Sequence, residues 1–200
     1  MKPFYKAIIN IVKPIVKLLF RVKVIGSGNI PTDKGFILAS NHTSFTDPVF
    51  IAVNCKRQIY FMAKIELFKF PPFAWFFSKL GVFAVDRGKG DKAAINTAEN
   101  LLKDGKILGI FPEGTRYLSG PPRKAKSGIA YVAMDTKSDI LPVSIYREGK
   151  SKLFSKTTLR FGELIPFESM VQEDATQRGN IRNITTIVTE KITELWEMKH

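Results

Sequence analysis

The stretch GFILASNHTSFTDP, Gly35 to Pro48, decides how this chain is read. Its first half, FILA, is a continuous apolar run, the pattern of a strand buried on both faces. A short polar turn follows, and Pro48 then opens a helix to about Asn54, with Thr46 or Asp47 at the N-cap and Pro48 at N1. A buried strand that turns straight into a helix is the repeating unit of an α/β fold. The rest of the sequence continues that rhythm. FRVKVIG, QIYFMAK, KLGVFAVDR, KILGIFPEG, DILPVSIYR and KTTLRFGELI each carry a strand. DKAAINTAENLLKDG and KSGIAYVAMDTK have helical periodicity, and Gly105 stops the first of them. A last amphipathic helix runs from about Ile181 to Met198. The expected fold is α/β, a mixed central sheet flanked by helices on both faces.

Two hundred residues with a formal charge of +13 suit one domain and an anionic partner. The single cysteine, Cys55, excludes an intrachain disulfide and any multi-cysteine metal site. With two histidines, a catalytic zinc would need mostly carboxylate ligands, so no metal is expected. Residues 1–21 form a basic amphipathic segment and residues 22–200 the main domain. The first 26 residues hold six cations (Lys2, Lys6, Lys13, Lys17, Arg21 and Lys23) and no acid. A spanning helix would put Lys13 mid-membrane, at a cost of roughly 3 kcal/mol. The segment therefore reads as an interfacial helix, kinked or split at Pro14, with lysines reaching anionic headgroups. The competing reading is a helix packed on the protein's own core.

In open α/β sheets, sites form where loops leave the carboxyl ends of strands. His42, Arg87 and Glu113 each directly follow an apolar strand. A histidine near its ordinary pKa exchanges protons close to neutrality. To serve as a base it needs a carboxylate on one ring nitrogen. Asp47, five residues on, could not reach it along a continuous helix, but can across a strand-to-helix turn. The spacing alone leaves open whether Asp47 merely caps the helix. IFPEGTR, Ile110 to Arg116, ends a strand in a carboxylate, a permissive glycine, a hydroxyl and a guanidinium suited to phosphate. GVFAVDRGKGDK sets Arg87, Lys89 and Lys92 at a helix start, where an anion can be held. AKIELFKFPPFAWFF places Lys64 beside an aromatic run that either lines an acyl channel, presses on a bilayer or is core. The basic clusters GPPRKAK and Lys150 to Lys156 read as solvated or lipid-facing surface. No G-x-S-x-G nucleophile elbow is present.

Together these segments resemble the lysophosphatidic acid acyltransferase (PlsC-like) family of glycerolipid acyltransferases, over roughly Val22 to Pro166. Four blocks carry the likeness in the family's order: NHTSFTD, GVFAVDR, FPEGTR and ILPVSI. The resemblance implies His42 as general base and Asp47 as its orienting carboxylate. It implies Lys64, Arg87 and Arg116 on the acceptor's phosphate, Glu113, Gly114 and Thr115 around the acceptor, and Pro142 on the donor side. The implied reaction moves an acyl group from acyl-CoA or acyl carrier protein to 1-acylglycerol 3-phosphate, without a resident cofactor, at the cytoplasmic face of the cell membrane. Many bacterial members carry a longer amino-terminal helix pair than the roughly 20 residues here. The rivals are a related enzyme with another lyso-lipid or glycerol 3-phosphate as acceptor, a non-catalytic membrane protein, and a nucleic-acid-binding module. No recognition motif favours nucleic acid.

Overall fold

The computed structural model describes residues 1–86, 91–147 and 154–198. Its centre is a seven-stranded mixed sheet of order β1-β7-β6-β2-β5-β3-β4. The strands are β1 (Arg21–Ile25), β2 (Phe36–Ser40), β3 (Ile59–Lys64), β4 (Phe83–Val85), β5 (Ile107–Ile110), β6 (Ile140–Arg147) and β7 (Lys156–Phe161). From β6 to β4 all neighbours are parallel, whereas β7 runs antiparallel to β6 and parallel to β1. The helices are α1 (Pro3–Leu19), α2 (Asp47–Asn54), α3 (Pro71–Lys79), α4 (Lys92–Lys103), α5 (Gly128–Thr136) and α6 (Gln177–Glu197).

All five residues of β2 are buried because both faces of the strand are covered. Ile37 and Ala39 pack with α4, α5 and α6 through Ala98, Ile129, Ala133 and Val188. Phe36 and Leu38 point the other way, into a second core with Ile51 and Cys55 of the α2 region. This alternation under a continuous apolar run is what a doubly covered parallel strand requires. The central proline, Pro142 of β6, pairs with Ala39. Between the pairs Val143–Phe161 and Ile140–Ile165 the outer chain carries one extra residue, so the missing N–H of Pro142 falls at a bulge.

Helix α1 is continuous through Pro14 rather than split, and the Asn10 carbonyl that proline leaves unbonded lies on the exposed side. One side of the helix packs on the protein's own core. Val16 is buried against Phe50 and Val53 of α2, with Ile9 and Val12 packed alongside. Ile11, Ile15 and Leu18 remain 60, 47 and 75% exposed, a stripe at helical spacing. No described helix is long and apolar enough to cross a membrane. The last helix begins at Gln177, four residues before the sequence periodicity places it, because the Thr176 hydroxyl caps it by accepting from the Gly179 amide.

Candidate active site

The chain leaves the sheet after Ser40, and Asn41 fastens the exit. Its side-chain amide donates to the Ile145 carbonyl at 3.0 Å, and its carbonyl accepts from the Ile145 amide at 2.7 Å. One buried asparagine thus continues the β2–β6 pairing while the backbone turns away. The turn brings His42 and Asp47 together, with Nδ1 and Oδ2 3.0 Å apart. Asp47 occupies the first turn of α2, but its carboxylate does not cap that helix. Oδ2 instead accepts from the amides of Thr43 and Ser44, at 2.6 and 2.7 Å. Oδ1 faces the Arg147 guanidinium at 2.7 Å.

Burial alone would push the Asp47 carboxyl upward. The His42 hydrogen bond, the Arg147 charge and the two loop amides outweigh it and hold the group below the usual carboxylate range. An ionised carboxylate only accepts, so His42 Nδ1 carries its hydrogen toward Asp47 and Nε2 is the nitrogen left for a proton transfer. The imidazole stacks on Phe111, ring centroids 4.0 Å apart.

His42 lines a mostly apolar cavity of about 520 Å³. Phe61, Met62, Phe76 and Phe77 supply part of its wall, and Tyr5, Ile8, Ile9 and Val12 of α1 supply another. Lys64, Gly114, Thr115 and Arg116 line the same cavity. The structure therefore brings five of the expected site residues to one space. Arg116 lies 3.3 Å above the Phe45 ring, and the Lys64 ammonium meets Glu66 at 2.8 Å on the surface. Gly114 has φ of +72° and a Cβ there would come within 3.1 Å of Lys126, so the turn after β5 requires glycine. Arg87 and Lys89 lie outside the described residues.

Two expected residues sit elsewhere. Glu113 is 3% exposed and does not line the cavity. Its Oε1 accepts from the Arg123 amide at 3.3 Å, which braces the turn. Burial raises its carboxyl to about 7, with the Asp47 charge adding to the effect. Pro142 lies in the middle of the sheet, under Gly162, and not on the cavity wall. Three residues that matter here escaped the sequence reading: Asn41, Arg147 and Lys126. Arg147 ends an apolar strand at the same sheet edge as His42, and that placement was the available signal. Lys126 sits in a cluster that reads as surface, yet its side chain crosses Gly114.

The aromatic run divides between two surroundings. Phe76 and Phe77 line the cavity, whereas Phe70, Phe73 and Trp75 are 56, 56 and 58% exposed. None of α3 is core.

A histidine held against a buried carboxylate, in an apolar cavity with cations on its wall, is an arrangement on an α/β fold that can take up a proton beside an apolar ligand. Comparison with known proteins narrows this. Residues 21–146 match the family described as Acyltransferase, and the chain belongs to that family. A 1-acyl-sn-glycerol-3-phosphate acyltransferase of Bacillus subtilis is 33% identical over 196 residues, 96% of either chain. Its counterpart in Borreliella burgdorferi is 27% identical, over 88% of this chain and 72% of that one. The crystal structure of the 1-acyl-sn-glycerophosphate acyltransferase PlsC from Thermotoga maritima superposes with a TM-score of 0.72 at 27% identity, over 98% of this chain and 83% of that one.

Proposed function

We propose that this enzyme transfers a fatty acyl group from a thioester to the sn-2 hydroxyl of 1-acylglycerol 3-phosphate, giving phosphatidic acid. The observation that carries the reading is the His42–Asp47 pair opening onto an apolar cavity whose wall also bears Lys64 and Arg116. Nε2 of His42 takes the hydroxyl proton as the oxygen attacks the thioester carbonyl. Asp47 holds the ring in the productive tautomer and offsets the imidazolium charge. The tetrahedral intermediate then expels the thiolate of coenzyme A or acyl carrier protein. Lys64, Arg87 and Arg116 hold the acceptor's phosphate, Gly114 and Thr115 shape its site, and the acyl chain lies among Phe61, Phe76 and Phe77. No acyl-enzyme and no resident cofactor are needed, because the hydroxyl attacks directly. The lysines of α1 and the exposed aromatics of α3 hold the protein peripherally on anionic lipid, at the cytoplasmic face of the cell membrane.

The test is thiol release from a long-chain acyl-CoA, with and without lysophosphatidic acid, for wild type and His42→Ala. Release should need both acceptor and His42, and the substitution should cost on the order of a hundredfold to ten-thousandfold in kcat. Release without acceptor would make the protein a thioesterase. Turnover only with acyl carrier protein would change the donor alone. Turnover with another lyso-lipid or glycerol 3-phosphate would change the acceptor.

A further inference from the structure

We propose that Arg147 is a positioning residue for acyl transfer, acting on His42 through Asp47 and Thr43; the proposal rests on His42 being the base. Arg147 ends β6, the strand beside β2, so its side chain starts at the sheet edge from which the His42 loop departs. Its side chain is 3% exposed. Nη2 lies 2.7 Å from Asp47 Oδ1, Nη1 donates to Thr43 Oγ1, and Nε donates to Thr157 Oγ1 at 3.2 Å. The guanidinium also sits 5.0 Å from the Phe50 ring of α2.

This arrangement divides the work of the Asp47 carboxylate. Oδ2 is used by His42 and two loop amides, and Oδ1 is left to Arg147. Thr43 directly follows His42, and Asp47 accepts the His42 hydrogen. The planar fork therefore grips the loop on both sides of the catalytic ring, which a single ammonium could not do. Asp47 is wholly buried, and burial favours its neutral form. A protonated Asp47 would no longer orient Nδ1–H as an ionised one does. Arg147 keeps a positive charge beside it at every working pH. Arg147 does not line the cavity.

The other charged groups around the pair are Glu113 on the turn after β5 and the cavity cations Lys64 and Arg116. Glu113 is adjacent to the His42 backbone and to the Asp47 charge. None of these reaches Oδ1. Removing Arg147 thus removes the cation that opposes proton uptake by the His42–Asp47 pair, and the pH at which the base becomes free must rise.

The experiment compares wild type, Arg147→Met, Arg147→Lys and His42→Ala. It uses acyl-CoA and lysophosphatidic acid from about pH 5 to about pH 9, with kcat corrected for the folded fraction. For Arg147→Met, kcat should fall about tenfold to a hundredfold, as when other supporting groups are lost, with KM for both substrates within about twofold. The acid limb of the kcat profile should move up by about one pH unit. Arg147→Lys restores charge without the fork. Its limb should return toward the wild-type position while kcat stays low, and it carries the test if the Met variant does not fold. A limb that stays in place in Arg147→Met, or a full wild-type kcat in Arg147→Lys, would show Arg147 to be a structural ion pair only. Acceptor-dependent turnover that survives in His42→Ala would remove the base itself, and the role of Arg147 with it.

Discussion

Replacing Phe70 and Phe73 together by serine should detach the enzyme from anionic vesicles without unfolding it. Both rings are 56% exposed, and neither belongs to a core cluster. A phenylalanine presents an area on the order of 200 Å², so each ring offers about 110 Å² to a bilayer. At about 25 cal/mol per Å², full transfer would be worth up to about 3 kcal/mol per ring, and partial immersion at the headgroup boundary about 2. The pair then contributes about 4 kcal/mol, which is on the order of a thousandfold in the partition coefficient. The ring centroids are 5.1 Å apart, and Phe73 also meets Phe77 at 6.3 Å; with both rings more than half exposed, the double change removes little buried contact. Trp75, 58% exposed on the same helix, reports the event as a blue-shifted emission when vesicles are added. Trp196 packs on Tyr146 and gives a constant background, which Trp75→Phe isolates. Binding should weaken as salt rises, because surface lysines supply part of it. Turnover of a soluble short-chain lysophosphatidate should persist in the double variant while turnover of vesicle-embedded substrate falls. If the variant binds vesicles as wild type does, or Trp75 emission does not respond, α3 is not a docking element.

Three further outcomes follow from buried groups. Glu113 has a folded-state pKa of about 7 against about 4.5 when solvated, so the native state binds this proton more tightly than the unfolded chain. Stability should therefore fall as pH rises through that window, by up to about 3 kcal/mol. Urea midpoints at about pH 5 and about pH 8 should differ less in Glu113→Gln than in wild type, and an unchanged difference would refute the assignment. Asp47 acts in the opposite sense and lower down: its depressed pKa gives stability that is present above the usual carboxylate range and lost as pH falls through the folded value. Tyr5 forms part of the cavity wall from α1 and is 3% exposed. Tyr5→Ala should shift donor preference toward acyl chains longer by about two carbons, since each buried methylene contributes about 0.8 kcal/mol. An unchanged chain-length profile would place the acyl chain elsewhere.

The fold was legible because its central strands, β2 and β5 above all, are written as unbroken apolar runs, a pattern that local reading detects without knowing the neighbours. The contact between His42 and Asp47 was legible for a similar reason: they are five residues apart and meet across a turn. What local reading could not supply was contact between distant segments. Arg147 lies 100 residues beyond Asp47 in the chain, and only the adjacency of β6 to β2 makes it a partner rather than a solvated strand end. Asn41 reads as loop until Ile145 is placed opposite it. The aromatic run was undecidable for the same cause. Whether Phe76 lines a cavity depends on α1, whose Phe4 meets Phe76 and Trp75 from about 70 residues away. The Gln177 start of α6 depends on the Thr176 hydroxyl accepting from the Gly179 amide, a cap that the apolar pattern from Ile181 onward does not carry.

Strand order explains why the chemistry collects where it does. β2 lies between β6 and β5, so the loop that carries His42 has a neighbour on each side. The β5 side is tied by the Tyr117 amide to the His42 carbonyl at 2.9 Å, which holds the Gly114–Arg116 turn against His42. The β6 side is tied by Arg147 to Asp47. The central strand thus carries His42, one neighbour the cation-bearing turn on the cavity wall, and the other the charge beside the Asp47 carboxylate. Helix α1 then closes the cavity with Tyr5, Ile8, Ile9 and Val12 while its opposite stripe, Ile11, Ile15 and Leu18, stays open. One helix therefore walls the cavity on one side and exposes an apolar stripe on the other. On the proposed function, a bilayer that engages the outer stripe braces the wall along which the acyl chain must lie.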